Sequence, residues 1–422
     1  MGGRVKLTRP WPLRELVGEL RQGRTTPEAA ARRALARISE TEPELHAWVE
    51  QAPLDDLSPD STGPLGGVPL GVKDIIDLAG LPTRCGSELR AEAAPADTDA
   101  AILTAWRTAG AVPLGKTVST EFAFFAPGPT RNPAAPGHTP GGSSSGSAAA
   151  VASGQAPLAL GSQTAGSVTR PASFCGVASL VMSHGRYPVT GVTGLSPSLD
   201  SHGVFAASAA DLALAWSALT AEPDVGTDGD RRPPRILVWA ADALDVVEAP
   251  MRDAVTQAAK LVREAGATVE PFPDERLMAE VTAAHPVVMA YEAARERAAE
   301  LAVAERLSVP LARLLRTGAA TSDAEYGAAR ATIARGAARV AELLGSYDLV
   351  LGPAAPGAAP RGLDTTGDPA LSRGWQALGL PAIALPGFTD PAGLPLGLQV
   401  VGRRGGETDL LGHACWVERS LP

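Results

Sequence analysis

From Gly137 to Gly154 the chain reads GHTPGGSSSGSAAAVASG; it continues through QAPLAL (155–160) into GSQTAGSVTRPASFCG (161–176). The first block is a glycine-rich turn running into a short alanine-rich helix that Gly154 closes. An apolar strand and a second loop of small residues follow. Across the 79 residues from Asn132 to Ala210 the only formal charges are Arg170, Arg186 and Asp200. At the chain-wide 20% of charged residues, about 16 would be expected. Such depletion marks an interior segment, yet its Gly, Ser and Thr content makes it a polar one. Buried hydroxyls without partners cost roughly 1–3 kcal/mol each, so the segment must build a dense hydrogen-bond network or line a pocket. A flexible Gly/Ser linker is the alternative, and AAAVASG and APLAL, good helix and strand material, argue against it.

On either side, short apolar strands alternate with amphipathic helices. Thr26-Pro27-Glu28 is a helix start, with Thr26 as cap, and the residues after it put Ala and Leu on one face and Arg on the other. Residues 53–66 read as a loop, and VPLGVKDIID as a β-rich run between glycines. TDAAILTAWRTAG reads as a helix stopped by Gly110, then AVPLG as a strand. RILVWA (235–240), a helix through MRDAVTQAAKLVREAG and ATVEPF repeat the alternation. YDLVLGPA, PAIALPGF and LPLGLQVVG supply late strands. The pattern predicts an α/β protein with a largely parallel or mixed sheet, and with neither repeat nor linker to divide it, one domain over 1–422.

Composition narrows the function. The 422 residues carry 37 Lys+Arg against 46 Asp+Glu, a net charge of −9, with no basic cluster. Nucleic acid and an anionic membrane surface are therefore poor partners. Cys85, Cys175 and Cys415 are an odd, scattered set that suits neither a disulfide framework nor a zinc site and fits a reducing cytoplasm. The first twenty residues carry charges throughout, unlike a signal peptide, and no 18-residue apolar run occurs. The six histidines show no metal-ligand spacing, so the sequence calls for no metal and no cofactor.

Chemistry enters with Lys73, set between Val72 and Asp74 where a core strand is expected. A buried ammonium is penalised by desolvation, which lowers its pKa and lets a neutral lysine act as a base. The plainer reading is an ammonium paired with Asp74 or Asp77. The loops at 137–147 and 161–167 hold serines and backbone N–H groups in small residues; such nests bind anions, including the oxyanion of an acyl-transfer intermediate. The first lacks the lysine of a nucleotide-binding loop. Serine with a lysine base is an established variant of the histidine triad.

PLGGVPLGVKDIID, GHTPGGSSSGSAAAVASG and LGSQTAGSVTRPASFCG, in that order, resemble the amidase signature family of Ser–cisSer–Lys hydrolases. The family pairs a lysine in a GVKD strand with a Gly-Gly-Ser-Ser loop and a nucleophilic serine twenty-four residues beyond the first serine of that loop. Ser143 and Ser167 stand at that spacing. The resemblance runs through GLPLGLQVVG and implies a central mixed sheet covered by helices on both faces, with a catalytic segment at 60–215 and a helical, substrate-shaping segment at 216–345. It implies Lys73 as base, Ser143 as proton bridge entered by a cis peptide, Ser167 as nucleophile, and the N–H groups of Thr164, Ala165, Gly166 and Ser167 as oxyanion hole. The sequence departs from the family in two places: Ala165 replaces a usual glycine, and LVMSHGR (180–186) lacks a usual Lys-Pro.

The Ser-Val-x-Arg-Pro form around Arg170 resembles the malonamidase-like branch, in which that arginine meets a substrate carboxylate; tying backbone carbonyls behind the site is the other use open to it. The expected activity is hydrolysis of a small-molecule amide, with an acyl-side acid as one possibility, without nucleic acid or membrane, by a chain compatible with a homodimer. One rival is the ammonia-supplying amidase subunit of a glutamine-dependent aminoacyl-tRNA amidotransferase, disfavoured by the acidic balance and shorter chain. A non-catalytic scaffold of the same fold is the other. His285, Tyr291, Glu292, Tyr326 and Arg330 in the helical segment read as helix surface or packing.

Overall fold

The strands expected from the alternation assemble into one sheet in a computed structural model that describes residues 7–52, 62–226 and 231–422. They are β1 (Trp48–Gln51), β2 (Val68–Lys73), β3 (Ala111–Thr117), β4 (Leu158–Gln163), β5 (Ala178–Val181), β6 (Ser201–Ala206), β7 (Arg235–Val238), β8 (Thr268–Pro271), β9 (Leu349–Pro353), β10 (Ala382–Thr389) and β11 (Pro395–Val401). Their order across the sheet is β1-β3-β2-β4-β6-β5-β10-β11-β9-β7-β8. β3, β2 and β4 run parallel, as do β9, β7 and β8, while the strands between pair antiparallel. The chain is a single α/β domain with a central mixed sheet flanked by helices.

Local chemistry explains the elements that position the site. Thr26 accepts a hydrogen bond from Ala29 N–H and Pro27 opens the helix Pro27–Leu45, which buries Ala30, Ala31, Ala34 and Ile38. Gly110, at φ +98°, ends the Ala101–Thr108 turn and lets the chain enter β3. Of the loop expected over 53–66, residues 53–61 lie outside the described residues. Every residue of β2, β3 and β4 is buried, as strands covered on both faces must be.

The charge-poor segment is interior over most of its length: every residue from 139 to 183 except Gly176 is buried. Many of its polar groups find their partners internally, although Thr169 Oγ1, Ser179 Oγ and Arg170 Nη1 have none among the described residues. Ser147 donates to Leu160 O at 2.7 Å, Ser153 to Ala149 O at 2.7 Å, and Asn132 to the carbonyls of Thr139 and Phe174. The stretch 184–194 departs from this expectation: Arg186 and Pro188–Thr190 are exposed. Its lack of charge has another origin, since Val189, Val192, Thr193 and Gly194 line a hollow in the surface.

The alanine-rich helix Ser145–Ser153 is wholly buried because its side chains are small. At Gly146 a Cβ would come within 2.2 Å of Ala47 O and 2.3 Å of Val118 N. The peptide there instead donates to Val118 O at 3.0 Å. A long helix, Glu275–Glu296, packs with Val309–Ala320 and Asp323–Ser346 into a separate layer. Trp239 and Phe272 meet Trp375 edge-on at 5.1 and 5.8 Å. No helix among the described residues is long and apolar enough to cross a membrane.

Gly146→Ala should therefore lower stability by at least the ~1–3 kcal/mol typical of overpacking. A lower urea midpoint together with lost activity is the expected result.

Candidate active site

β2 ends at Lys73, which has no exposed surface. Its Nζ lies 2.6 Å from Ser143 Oγ, 2.9 Å from Ser162 Oγ and 3.3 Å from Ser162 O. Neither neighbouring carboxylate pairs with it. Asp77 accepts from the Thr83 hydroxyl, and Asp74 turns to Lys116, 3.4 Å away, and to the Arg84 N–H. The paired-ammonium alternative for Lys73 is thereby removed. Burial lowers the Lys73 pKa from 10.5 to about 7, with the more distant Asp200 opposing the fall.

Ser143 opens the turn that leads into the helix Ser145–Ser153 and is entered through a cis peptide from Gly142. Its neighbour Ser144 donates its N–H to Ser167 O at 3.3 Å, which joins the two serine loops. Ser143 and Ser167 both line one small cleft, together with Thr164, Ala165, Gly166 and Arg170. Phe124, Phe125 and Met289 form its apolar wall. The turn 163–167 is held from outside. Gln163 Oε1 accepts from Val168 N–H at 2.9 Å and Thr169 N–H at 3.0 Å, and Gln376 Nε2 donates to Gln163 O at 3.1 Å. Arg170 N–H donates to Gly166 O at 3.1 Å. Among the described residues no acceptor is recorded for the N–H groups of Ala165, Gly166 and Ser167. Ala165 does not take a positive φ, so its Cβ is tolerated where a glycine is usual.

Arg170 is buried, and most of its guanidinium is committed to the protein. Nε donates to Thr366 O at 2.6 Å; Nη2 donates to Gly142 O at 2.7 Å and Thr366 Oγ1 at 3.1 Å. Nη1 has no partner among the described residues and lies beside Gly166. Burial draws the guanidinium pKa down to about 9, opposed by Asp368. The segment without Lys-Pro forms a tight turn, Arg186 N–H to Ser183 O, anchored by Ser183 N–H on Glu407 at 2.8 Å. Among the described residues no cluster of three or more His, Cys, Asp or Glu is set to hold a metal ion.

Two of the residues read from sequence as helix surface or packing, His285 and Glu292, pack against the turns beside the cleft. His285 is fully buried and its Nε2 lies 2.7 Å from Thr164 O. Glu292 accepts from Ser196 Oγ, Ser198 N–H and Oγ, and Tyr326 OH. Asp200 accepts from Thr164 Oγ1 and from the N–H groups of Leu195 and Ser196. The signal available beforehand was faint: His285, Met289 and Glu292 share one helix face at spacings of four and three residues. Nothing local marked Gln376 or Thr366. Beside Thr164 and Leu195 the cleft adjoins a second hollow with apolar walls from Ile75, Val189 and Val192.

Two serine-bearing loops line one cleft, and a buried lysine lies behind the first of them; acyl transfer calls for groups of this kind. The family model named Amidase matches residues 29–411, and the chain belongs to that family. It is an amidase, a hydrolase of C–N amide bonds by the family's chemistry. The Mycobacterium tuberculosis protein AmiA2, named as an amidase, is 33% identical, covering 96% of this chain and 92% of the relative. A glutamyl-tRNA(Gln) amidotransferase subunit from Lachnospira eligens is 30% identical over 92% of this chain and 93% of its own. A crystal structure of an amidase superposes with a TM-score of 0.87 at 29% identity, covering 98% of this chain and 100% of that one.

The chain has only four lysines, Lys6, Lys73, Lys116 and Lys260. In NMR of protein labelled at lysine Cε, one amine should titrate near pH 7 and vanish in Lys73→Met. A Lys73 signal that stays protonated past pH 9 would contradict the desolvation argument.

Proposed function

We propose that the chain is a free-standing amidase for a small-molecule amide bearing an acid on its acyl side, with Lys73 as base, Ser143 as proton bridge and Ser167 as nucleophile. One observation carries the reading: a buried amine with no carboxylate partner among the described residues touches the Ser143 hydroxyl at 2.6 Å. A pKa near 7 leaves a large neutral fraction at neutral pH. The neutral amine has two N–H bonds for the two Ser162 oxygens and one lone pair for the Ser143 proton. Ser143 then draws a proton from Ser167 as Ser167 Oγ bonds to the carbonyl carbon. The N–H groups of the 164–167 turn receive the oxyanion. When the C–N bond breaks, the relay returns the proton to the departing nitrogen. Water, deprotonated along the same path, releases the acid and restores Ser167.

Arg170 serves both uses weighed for it. Its Nε and Nη2 fix the backbone around Gly142, and Nη1 is left for one oxygen of a substrate carboxylate, met end-on. The rival reading, an amidase working within an amidotransferase, draws on the relative from Lachnospira eligens; the net charge of −9 is a poor match for a partner assembly working on tRNA. Buried, unpaired Cys85, Cys175 and Cys415 suit the cytoplasm.

The test is a panel of small amides, from malonamate-like acids to neutral aryl amides, with released ammonia measured for the chain alone. Turnover of acidic amides, abolished in Ser167→Ala, is expected; ammonia release that requires a second protein would favour the amidotransferase reading. Because the working amine is neutral, kcat/KM should climb as pH rises through about 7 and level off above it; a flat profile would remove Lys73 as base. Arg170→Ala should raise KM for acidic amides about tenfold more than for neutral ones, the loss of a charge-assisted contact. Equal changes for both would discard the carboxylate.

A further inference from the structure

The turn proposed to hold the oxyanion is steered from the helix Glu275–Glu296, and we propose that His285 is the positioning residue that aims the Ala165 N–H into the cleft. This inference rests on the reading of Ser167 as nucleophile. In a trans peptide the carbonyl and the N–H of the same plane point in opposite directions. Among the described residues the only cis bond is Gly142–Ser143, so whatever fixes Thr164 O also fixes Ala165 N–H, reversed. His285 Nε2 lies 2.7 Å from Thr164 O. A carbonyl oxygen only accepts, so Nε2 carries the hydrogen and Nδ1 is the bare nitrogen. Nδ1 is buried with no partner among the described residues, leaving the carbonyl contact as the ring's one recorded hydrogen bond.

The peptide before the Thr164–Ala165 bond and the peptide two further on are fixed in the same manner by other residues. Gln376 Nε2 on Gln163 O orients Thr164 N–H, and Arg170 N–H on Gly166 O orients Ser167 N–H. His285 supplies the middle tether. The Thr164 side chain is separately held, Oγ1 donating to Asp200 at 2.5 Å, so the residue cannot swing as a unit. Two turns further along the same helix, Glu292 grips Ser196 and Ser198, beside the Leu195 and Ser196 N–H groups that hold Asp200. The helix therefore grips the turn and the loop beside it through two contacts on one face. Burial drives the His285 pKa down to about 4, which keeps the ring neutral and its single N–H committed to the carbonyl.

The experiment compares His285→Leu, His285→Asn and His285→Gln. Gln places its Nε2 the same number of bonds from Cβ as the histidine Nε2; Asn is one bond short and Leu has no donor. With Leu or Asn, kcat should fall roughly 10- to 100-fold, short of the ~10²–10³-fold cost of deleting an oxyanion donor itself, while KM changes less than about threefold. Gln should recover most of the loss. Affinity for an arylboronic acid, which forms a tetrahedral adduct on a nucleophilic serine, should drop in step with kcat/KM, with binding of the product acid unchanged. Should Leu fail to fold, the Asn and Gln pair carries the comparison. Equal kcat in all three variants, whether full or equally reduced, overturns the role of His285. A wild-type chain that hydrolyses none of the amides and binds no boronate overturns the parent reading, and this inference with it.

Discussion

Two lysines are buried on neighbouring strands, and among the described residues one nearby carboxylate pairs with only one of them. β2 and β3 run parallel in a register that sets Val72 opposite Lys116 and Lys73 opposite Thr117. Both ammonium groups are withdrawn from solvent, and both are penalised by it. Asp74, directly after Lys73 in sequence, follows the strand's end away from its neighbour and pairs with Lys116, which Thr83 also holds. Lys73 is left among hydroxyls and a carbonyl, ligands that accept an amine without neutralising its charge. Had Asp74 stayed with Lys73, the same residues would make a structural ion pair and no base.

A second constraint is that a polar interior must be fully hydrogen-bonded. The serines of the 143–153 stretch and the glutamines at 163 and 376 meet it with local carbonyls and with one another. The small residues are what make this possible. Backbones approach closely at Gly146, and the side chains of Ser144 and Phe205 close over Gly161, so hydroxyls reach carbonyls on adjacent elements. A larger residue would separate the layers and strand the polar groups. Rigidity here also serves the site, because the loops that carry Ser143 and Ser167 are parts of this network rather than appendages to it.

The alternation of strands and helices was legible because each element is patterned over many residues, as in Ala101–Thr108 leading to β3. The depletion of charge from 132 to 210 was legible as burial because it sums over a long window; it misled at 184–194, where lining a hollow leaves the same compositional trace as facing the core. Lys73 stood out by its place in an apolar strand, whereas Ser143 and Ser167 stood out as single residues only because the surrounding motifs are specific. His285 and Gln376 could not be read this way. Each reaches the turn through hydrogen bonds to a residue 121 or 213 positions away, and a lone histidine or glutamine on a helix carries no local mark of such a contact.

The order of parts along the chain has a consequence for its synthesis. A nascent polypeptide that has emerged as far as Thr220 already contains Lys73, Ser143, Ser167 and the strands β2 to β6. The tethers on Gln163 O and Thr164 O arrive only with Gln376 and His285, and β5 waits for β10 to cover its edge. The ribosome therefore delivers the residues proposed to react long before those proposed to aim them, and the half-made protein holds the first set without the second.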